Sequence, residues 1–221
     1  MQDSYYNRPE VSNSDLSALK KYFQPEYNSF DPTEAYRFGN LIDAMCTEPE
    51  KVDYFKRTIT DYEMPFTPEQ FKLAERMKQA FRKDELMKQL LPLCEFQKVF
   101  TGLVDFNYVG FGFTLNMRCK FDFFMKNLGW GGDLKSTAAT SQKQFNDAFL
   151  HFDYDRSRVL YMLLSGAKRD IVVGVSKDNC KVFKIAITEG CELWNSGLEK
   201  LTDLAFKYWM LFENINIKQA A

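Results

Sequence analysis

Between Glu95 and Glu189 the sequence breaks into five short runs rich in β-branched and aromatic residues: EFQKVFTGLVDF, FTLNMRCKFDFFM, GGDLKST, DIVVGVSKD and KVFKIAITE. Each is bounded by Gly, Asn or Asp, which is the signature of strands. A helical stretch from about Ser141 to Leu164 separates the third run from the fourth. A meander followed by a crossover helix and two more strands requires a mixed sheet, and such a sheet needs cover on both faces.

The cover is legible on either side. VSNSDLSALKKYF reads as a helix capped by Ser12 or Ser14, with Leu16, Leu19 and Phe23 on one face. DPTEAYRFGNLIDAMCTEP reads as a second, with Asp31 as cap candidate and Pro49 just past its end. FTPEQFKLAERMKQAFRKDELMKQLLPL spans one long helix or two between Thr67 and Pro92, and CELWNSGLEKLTDLAFKYWMLFENI closes the chain as an amphipathic helix. The expectation is one α/β domain over residues 1–221. It has a helical part at 1–92, a sheet core at 93–188 and a C-terminal helix at 189–214.

Composition supports a packed globular core, with 45% hydrophobic and 16% aromatic residues. No apolar run approaches the ~18 residues of a membrane span. The opening MQDSYYNRPE lacks the basic and apolar regions of a secretory signal, so a soluble cytoplasmic protein without membrane partners is expected. The five cysteines are scattered singly and form no CxxC, which excludes zinc-knuckle and iron–sulfur spacings and leaves reduced packing residues. Any metal must therefore use oxygen ligands. A net charge of −1 neither favours nor excludes nucleic acid, because local basic surface decides that.

Chemistry concentrates in RCKFDFFMKNLGWGGDLKST, residues 118–137. Strand alternation puts Arg118, Lys120 and Asp122 on one face, against Cys119, Phe121 and Phe123. After a glycine-rich reversal, Asp133 and Lys135 share a face while Leu134 points away. If the two strands pair, Asp122 and Asp133 meet near the turn. Two carboxylates at that range repel unless a cation sits between them, and oxygen ligands suit Mg²⁺ or Mn²⁺. That set serves phosphodiester hydrolysis, with Lys135 orienting water or stabilising charge. On these three residues alone the pattern stays open, since composition yields about one acid-x-Lys triplet per chain of this size.

Further segments arrive in an order that resembles the PD-(D/E)xK nuclease superfamily, and within it the RecE-like group of exodeoxyribonuclease VIII and phage-encoded relatives. SNSDLSALKKYFQP resembles that group's N-terminal helix, and RFGNLIDAMCTEP its FGxxxHxxxxEP helix, with Asp43 where the histidine usually stands. CEFQKVF supplies Glu95 on the strand that carries a glutamate, RCKFDFF supplies Asp122, and GGDLKST matches D-x-K-T-T. In FNDAFLHFDYDRSRVLYMLLSG, Tyr154 and Tyr161 fit the family's tyrosines, while Ser157 replaces its glutamine.

The resemblance implies a restriction-endonuclease-like fold with Lys135, Asp122 and Asp133 catalytic. It also implies Mg²⁺ or Mn²⁺ held by Asp122, Asp133 and the Leu134 carbonyl, with Asp43 and Glu95 as additional ligands. Tyr154, Tyr161, Thr137, Arg156 and Arg158 would contact nucleic acid, Arg158 taking over phosphate contact from the missing glutamine. The activity implied is a 5′→3′ DNA exonuclease acting on duplex ends in phage or mobile-element recombination. A single-strand annealing protein and a homo-oligomer are the implied partners. The alternative is a retired module that keeps the fold for nucleic-acid binding or assembly.

Overall fold

The computed structural model describes residues 4–25, 31–60 and 62–213. Helices α1 (Asn13–Phe23) and α2 (Thr33–Thr47) come first. Ser12 caps α1: its hydroxyl accepts from the Asp15 amide at 3.3 Å, while the Asp15 carboxylate accepts from the Ser12 amide at 2.7 Å. Asp31 tucks in the start of α2 by accepting from the Thr33 amide at 2.9 Å. A two-residue ladder of β1 (Val52–Asp53) and β2 (Thr58–Ile59) leads into α3 (Pro68–Lys83) and the shorter α4 (Glu85–Leu90).

The five expected strands are present as β3 (Glu95–Tyr108), β4 (Phe111–Met125), β5 (Trp130–Thr137), β6 (Arg169–Ser176) and β7 (Val182–Thr188). They form one sheet in that order. The β5–β6 pair is parallel and the other three neighbours are antiparallel. The crossover between β5 and β6 is two helices, α5 (Gln142–His151) and α6 (Tyr154–Ser165), rather than the single stretch expected. They part at Asp153, which adopts a left-handed φ of 51°. Helix α7 (Glu192–Tyr208) follows β7 and continues as a wider turn to Glu213. Asn214, where the sequence ends this helix, lies outside the described residues.

Each face of the sheet carries its own core. On one, Phe123, Met125, Leu134 and Val173 pack under Phe38, Leu41 and Met45 of α2 and Met77 and Phe81 of α3. On the other, Phe121, Phe124 and Val172 pack against Leu16, Phe145, Val159, Leu160 and Leu201 from α1, α5, α6 and α7. The fold is thus α/β, a mixed central sheet flanked by helices on both faces.

Strict alternation along β4 fails at one residue. Phe121 faces Tyr161 of α6 at 5.1 Å between ring centroids, whereas Phe123 faces Phe81 of α3 at 6.2 Å. The sequence places Phe121 and Phe123 on one face; the structure corrects this, turning the strand over at Asp122. The cause lies on β3, where Gln97 takes a left-handed φ of 51° and drops out of the ladder opposite Asp122. Register is the same on both sides of the gap (Phe96↔Phe123, Lys98↔Phe121), so no residue is inserted and the ladder breaks for one pair only.

The β4–β5 ladder is short: Met125↔Trp130, Phe124↔Gly131 and Phe123↔Gly132. Beyond it the strands fork. The upper part of β4 is instead bridged by Val11, whose N–H donates to the Asn116 carbonyl and whose carbonyl accepts from Arg118 N–H, both at 2.9 Å. The crotch of the fork is tight. A Cβ on Gly132 would lie 1.8 Å from Phe123 Cε2, and one on Gly131 would lie 2.0 Å from Phe121 Cε1. Gly132→Ala is therefore expected to destabilise by at least about 1–3 kcal/mol through overpacking, read as a lower urea midpoint at unchanged slope. A midpoint equal to the parent's would mean the crotch can relax.

Candidate active site

The fork carries the charged group of the molecule. Asp122, the first residue of β4 beyond the ladder, accepts a hydrogen bond from Leu134 N–H at 2.7 Å. Its carboxylate therefore stands in for the next ladder bond and closes the crotch. The N–H and C=O of one strand residue point to the same edge, so the Leu134 carbonyl also faces the fork. On β5, Asp133 and Lys135 form an ion pair, Nζ to Oδ2 at 2.5 Å. From the opposite face α2 inserts Asp43, steadied by Thr47, whose hydroxyl donates to Asp43 Oδ1 at 3.1 Å.

Electrostatics show that these groups are neighbours. Burial raises the Asp122 carboxyl well above the usual range, and the charges of Asp43 and then Asp133 raise it further. Burial likewise raises Asp43, with Lys135 working in the other direction. Lys135 is penalised by burial, yet Asp133 and then Asp122 outweigh that and hold its ammonium above the ordinary lysine range. Three acids thus share one lysine.

The residues behind the group explain its shape. Gln97, kinked out of its ladder, donates from Nε2 to Asp43 Oδ2 at 3.2 Å and to Thr47 Oγ1 at 2.8 Å, while its Oε1 is buried with no donor. A left-handed backbone at a non-glycine costs about 1–3 kcal/mol and persists where surroundings enforce it. Asp133 is fixed from the other side by Arg158 of α6, whose Nη1 donates to Oδ1 at 2.8 Å. The rest of that guanidinium grips Asp170, the second residue of β6, through Nε and Nη2, both at 3.0 Å. Gln97 and Asp170 were not among the sequence candidates. A glutamine carries no kink signal, and an aspartate at a strand start reads as a boundary.

Several expected contributors stand elsewhere. Glu95 lies half-exposed at the start of β3, paired with Lys98 at 2.5 Å, which lowers its carboxyl; the structure does not bring it to the acids. Arg158 is 1% exposed and committed to two carboxylates, so it offers no fork to a phosphate. Arg156 is 2% exposed and anchors α1, with Nε on Asn13 at 3.0 Å and Nη2 on Ser17 at 2.6 Å. Both were expected on the nucleic-acid surface, and burial within a helix packed on two sides corrects that. Tyr154 does reach the site, its ring 5.5 Å from Lys135 Nζ. Tyr161 instead lies against the Arg158 guanidinium at 4.1 Å. The Thr137 hydroxyl closes a local turn by accepting from Ala139 N–H at 3.1 Å. His151 is not part of the group; it packs edge-on to Phe152.

Among the described residues no group of three or more His, Cys, Asp or Glu is arranged to hold a metal ion; the acids gather around the lysine ammonium instead. The donor chemistry nevertheless fits a hard divalent ion. Every ligand atom available is oxygen, Asp43 and Asp133 both raise the Asp122 carboxyl, and one buried oxygen, Gln97 Oε1, has no hydrogen-bond donor aimed at it.

Residues 11–216 match the model of a family described as a PDDEXK-like domain of unknown function, DUF3799. The chain belongs to this family. No curated protein matches the sequence. Among solved structures, the PDDEXK-like domain is similar to a phage related exonuclease from Haemophilus somnus 129PT, at 10% identity and a TM-score of 0.45 over 96% of each chain. LHK-Exo in complex with dAMP is similar at 11% identity and 0.36, covering 96% of this chain and 93% of that one. The protein SSO0001 is similar at 14% identity and 0.40, covering 89% and 84%. The D-x-K pattern read in the sequence, Asp133, Leu134 and Lys135, lies on β5, the strand that leaves the fork. Among the described residues no helix is long and apolar enough to cross a membrane.

Proposed function

We propose that this PDDEXK-like domain is a divalent-metal-dependent deoxyribonuclease that hydrolyses phosphodiester bonds at the β4–β5 fork. The observation that carries the reading is the gathering of Asp43, Asp122 and Asp133 around Lys135 at the end of a broken ladder. Three acids would weaken binding to a phosphate unless a cation intervened, so a surface built only to hold nucleic acid has no use for them.

Asp122, Asp133, Asp43 and the carbonyl of Leu134 would hold Mg²⁺ or Mn²⁺. The bound ion would supply phosphate polarisation and a more acidic water. Lys135, kept charged by Asp133 and Asp122, is placed to stabilise charge on the attacked phosphate. Tyr154 covers one side of the lysine and limits solvent there. The finer reading is exonucleolytic, 5′→3′ from duplex ends in phage or mobile-element recombination, beside a single-strand annealing protein and as a homo-oligomer. It is supported by the sequence resemblance.

One observation favours a second reading, a module that binds nucleic acid without cutting it: both oxygens of Asp133 already face cations of the chain itself. The two separate in one assay. End-labelled linear duplex DNA is incubated with the protein and Mg²⁺, Mn²⁺ or chelator, beside Asp122→Asn. Metal-dependent release of nucleotides that disappears in Asp122→Asn supports the nuclease, and the surviving label gives polarity. Binding that persists in chelator with no cleavage in either metal would refute it in favour of the module.

A further inference from the structure

We propose that Lys177, Ser136 and the bare stretch of α2 at Gly39 form a phosphate seat, which holds the backbone of a nucleic-acid strand beside the fork. The seat deepens the reading above and rests on nucleic acid being the substrate.

The three groups meet where the C-terminal ends of β5 and β6 pass under α2. Ser136 follows Lys135 directly and lies opposite Val175 in the parallel ladder. Lys177 N–H donates to the Thr137 carbonyl at 2.8 Å. Ser136 shares a parity with Leu134, and Lys177 with Val173 and Val175, all three of which pack under α2. On that side the Lys177 ammonium lies 5.5 Å from the centre of the Phe38 ring. A Cβ on the next residue, Gly39, would lie 3.7 Å from Ser136 Oγ. Asp43 stands four residues further along α2, about 6 Å away on the helix axis, so a strand laid across the fork passes over this point.

Each group lacks an internal use. Lys135, Lys184 and Lys200 all meet a carboxylate. Lys177 meets none among the described residues: it is half-buried, and burial lowers its ammonium with no acid working against it. Taking a cation out of water is costly unless an anion replaces the water, and an aromatic face offsets only part of that. The Ser136 hydroxyl, also half-buried, has no hydrogen-bond partner among the described residues. Glycine inside a helix lowers its stability against alanine, and packing does not demand one at Gly39, since 3.7 Å is an ordinary contact. What a methyl group would take is the room over Ser136. A backbone phosphate offers oxygens to an ammonium and a hydroxyl together, and lysine and serine are common donors to it. Arg156 and Arg158, buried and held by internal partners, leave that contact open.

The test is fluorescence anisotropy of a short labelled DNA duplex with the full-length protein over a range of salt, in an Asp122→Asn background so that binding is read without cleavage. Lys177→Ala should weaken binding alike across sequences and lower the slope of log affinity against log salt by about one, while Lys177→Arg should keep the slope. Ser136→Ala should lose about two- to tenfold in affinity at an unchanged slope. Gly39→Ala should raise the thermal midpoint by about 2–4 °C and yet bind more weakly, a combination that a glycine kept only for packing would not give. Undiminished affinity and slope in Lys177→Ala and Gly39→Ala would overturn the seat and leave the nuclease reading, which is judged by cleavage in the parent. A parent that cuts in neither metal, with the Lys177→Ala slope change present, would overturn the nuclease reading alone. A parent that neither binds nor cuts DNA would overturn both. Should Lys177→Ala fail to fold, Gly39→Ala decides.

Discussion

Replacing Lys135 by alanine is expected to lower metal-dependent cleavage by about 10²–10³-fold, the usual loss when one preorganised charge at a reacting group is removed. The Lys135 side chain is 32% exposed, so circular dichroism should show an intact fold. The metal-free protein should nevertheless melt earlier, because Asp43, Asp122 and Asp133 then face one another with no ammonium between them. Adding Mg²⁺ should restore much of that loss, since only the folded site binds the ion. Restored stability with lost cleavage is the pattern that separates a chemical role from a structural one. Lys135→Arg should retain the charge but recover only part of the rate, because a planar guanidinium does not present its donors as an ammonium does. Cleavage in Lys135→Ala at the parental rate would place the chemistry elsewhere.

Arg158→Ala should carry the largest stability loss of any single change in the site. It leaves Asp170 buried with no cation and Asp133 with Lys135 alone, and breaking a buried pair from one side costs about 3–5 kcal/mol. Burial already raises Asp170, and the guanidinium is what opposes that rise. Arg158 itself is held above the ordinary arginine range because Asp170 and Asp133 outweigh its own burial. Removing both members, as in Arg158→Met with Asp170→Leu, should recover part of the loss, because matched apolar replacements of a buried pair are often near neutral. Urea unfolding of the two single variants and the double variant closes the cycle. A loss below about 1 kcal/mol for Arg158→Ala, the range of an exposed pair, would mean that the arginine is not buried in solution.

Much of this was legible from residue order. The cap of α1, the five strands and a helical crossover between the third and fourth follow from local pattern, because caps and alternation are local physics. Asp122 and Asp133 were legible as a pair because a turn of known length fixes which strand residues can face each other. The rest depended on tertiary contacts. Alternation holds only along an unbroken ladder, so the turnover at Asp122 could not be read from β4; its cause is Gln97 on the neighbouring strand. Arg156 and Arg158 read as nucleic-acid contacts, yet both are buried, with Asp155 beside them. Each is satisfied by a partner distant in sequence: Lys200 and Ser196 for Asp155, Asn13 and Ser17 for Arg156, Asp133 and Asp170 for Arg158. Glu95 and Gln97 share a parity on β3, and only the kink decides which of the two turns inward.

The fork has a bearing on how such a chain can be made safely. Asp43, Gln97, Asp122, Asp133, Arg158 and Asp170 belong to α2, β3, β4, β5, α6 and β6, and they meet only where β4 leaves β5. A nascent chain that has emerged as far as α5 already carries the three acids and the lysine. It still lacks the guanidinium that holds Asp133 and the strand that pins β5 in parallel. The arrangement proposed to cut DNA is therefore completed late in synthesis, by the same contacts that finish the sheet.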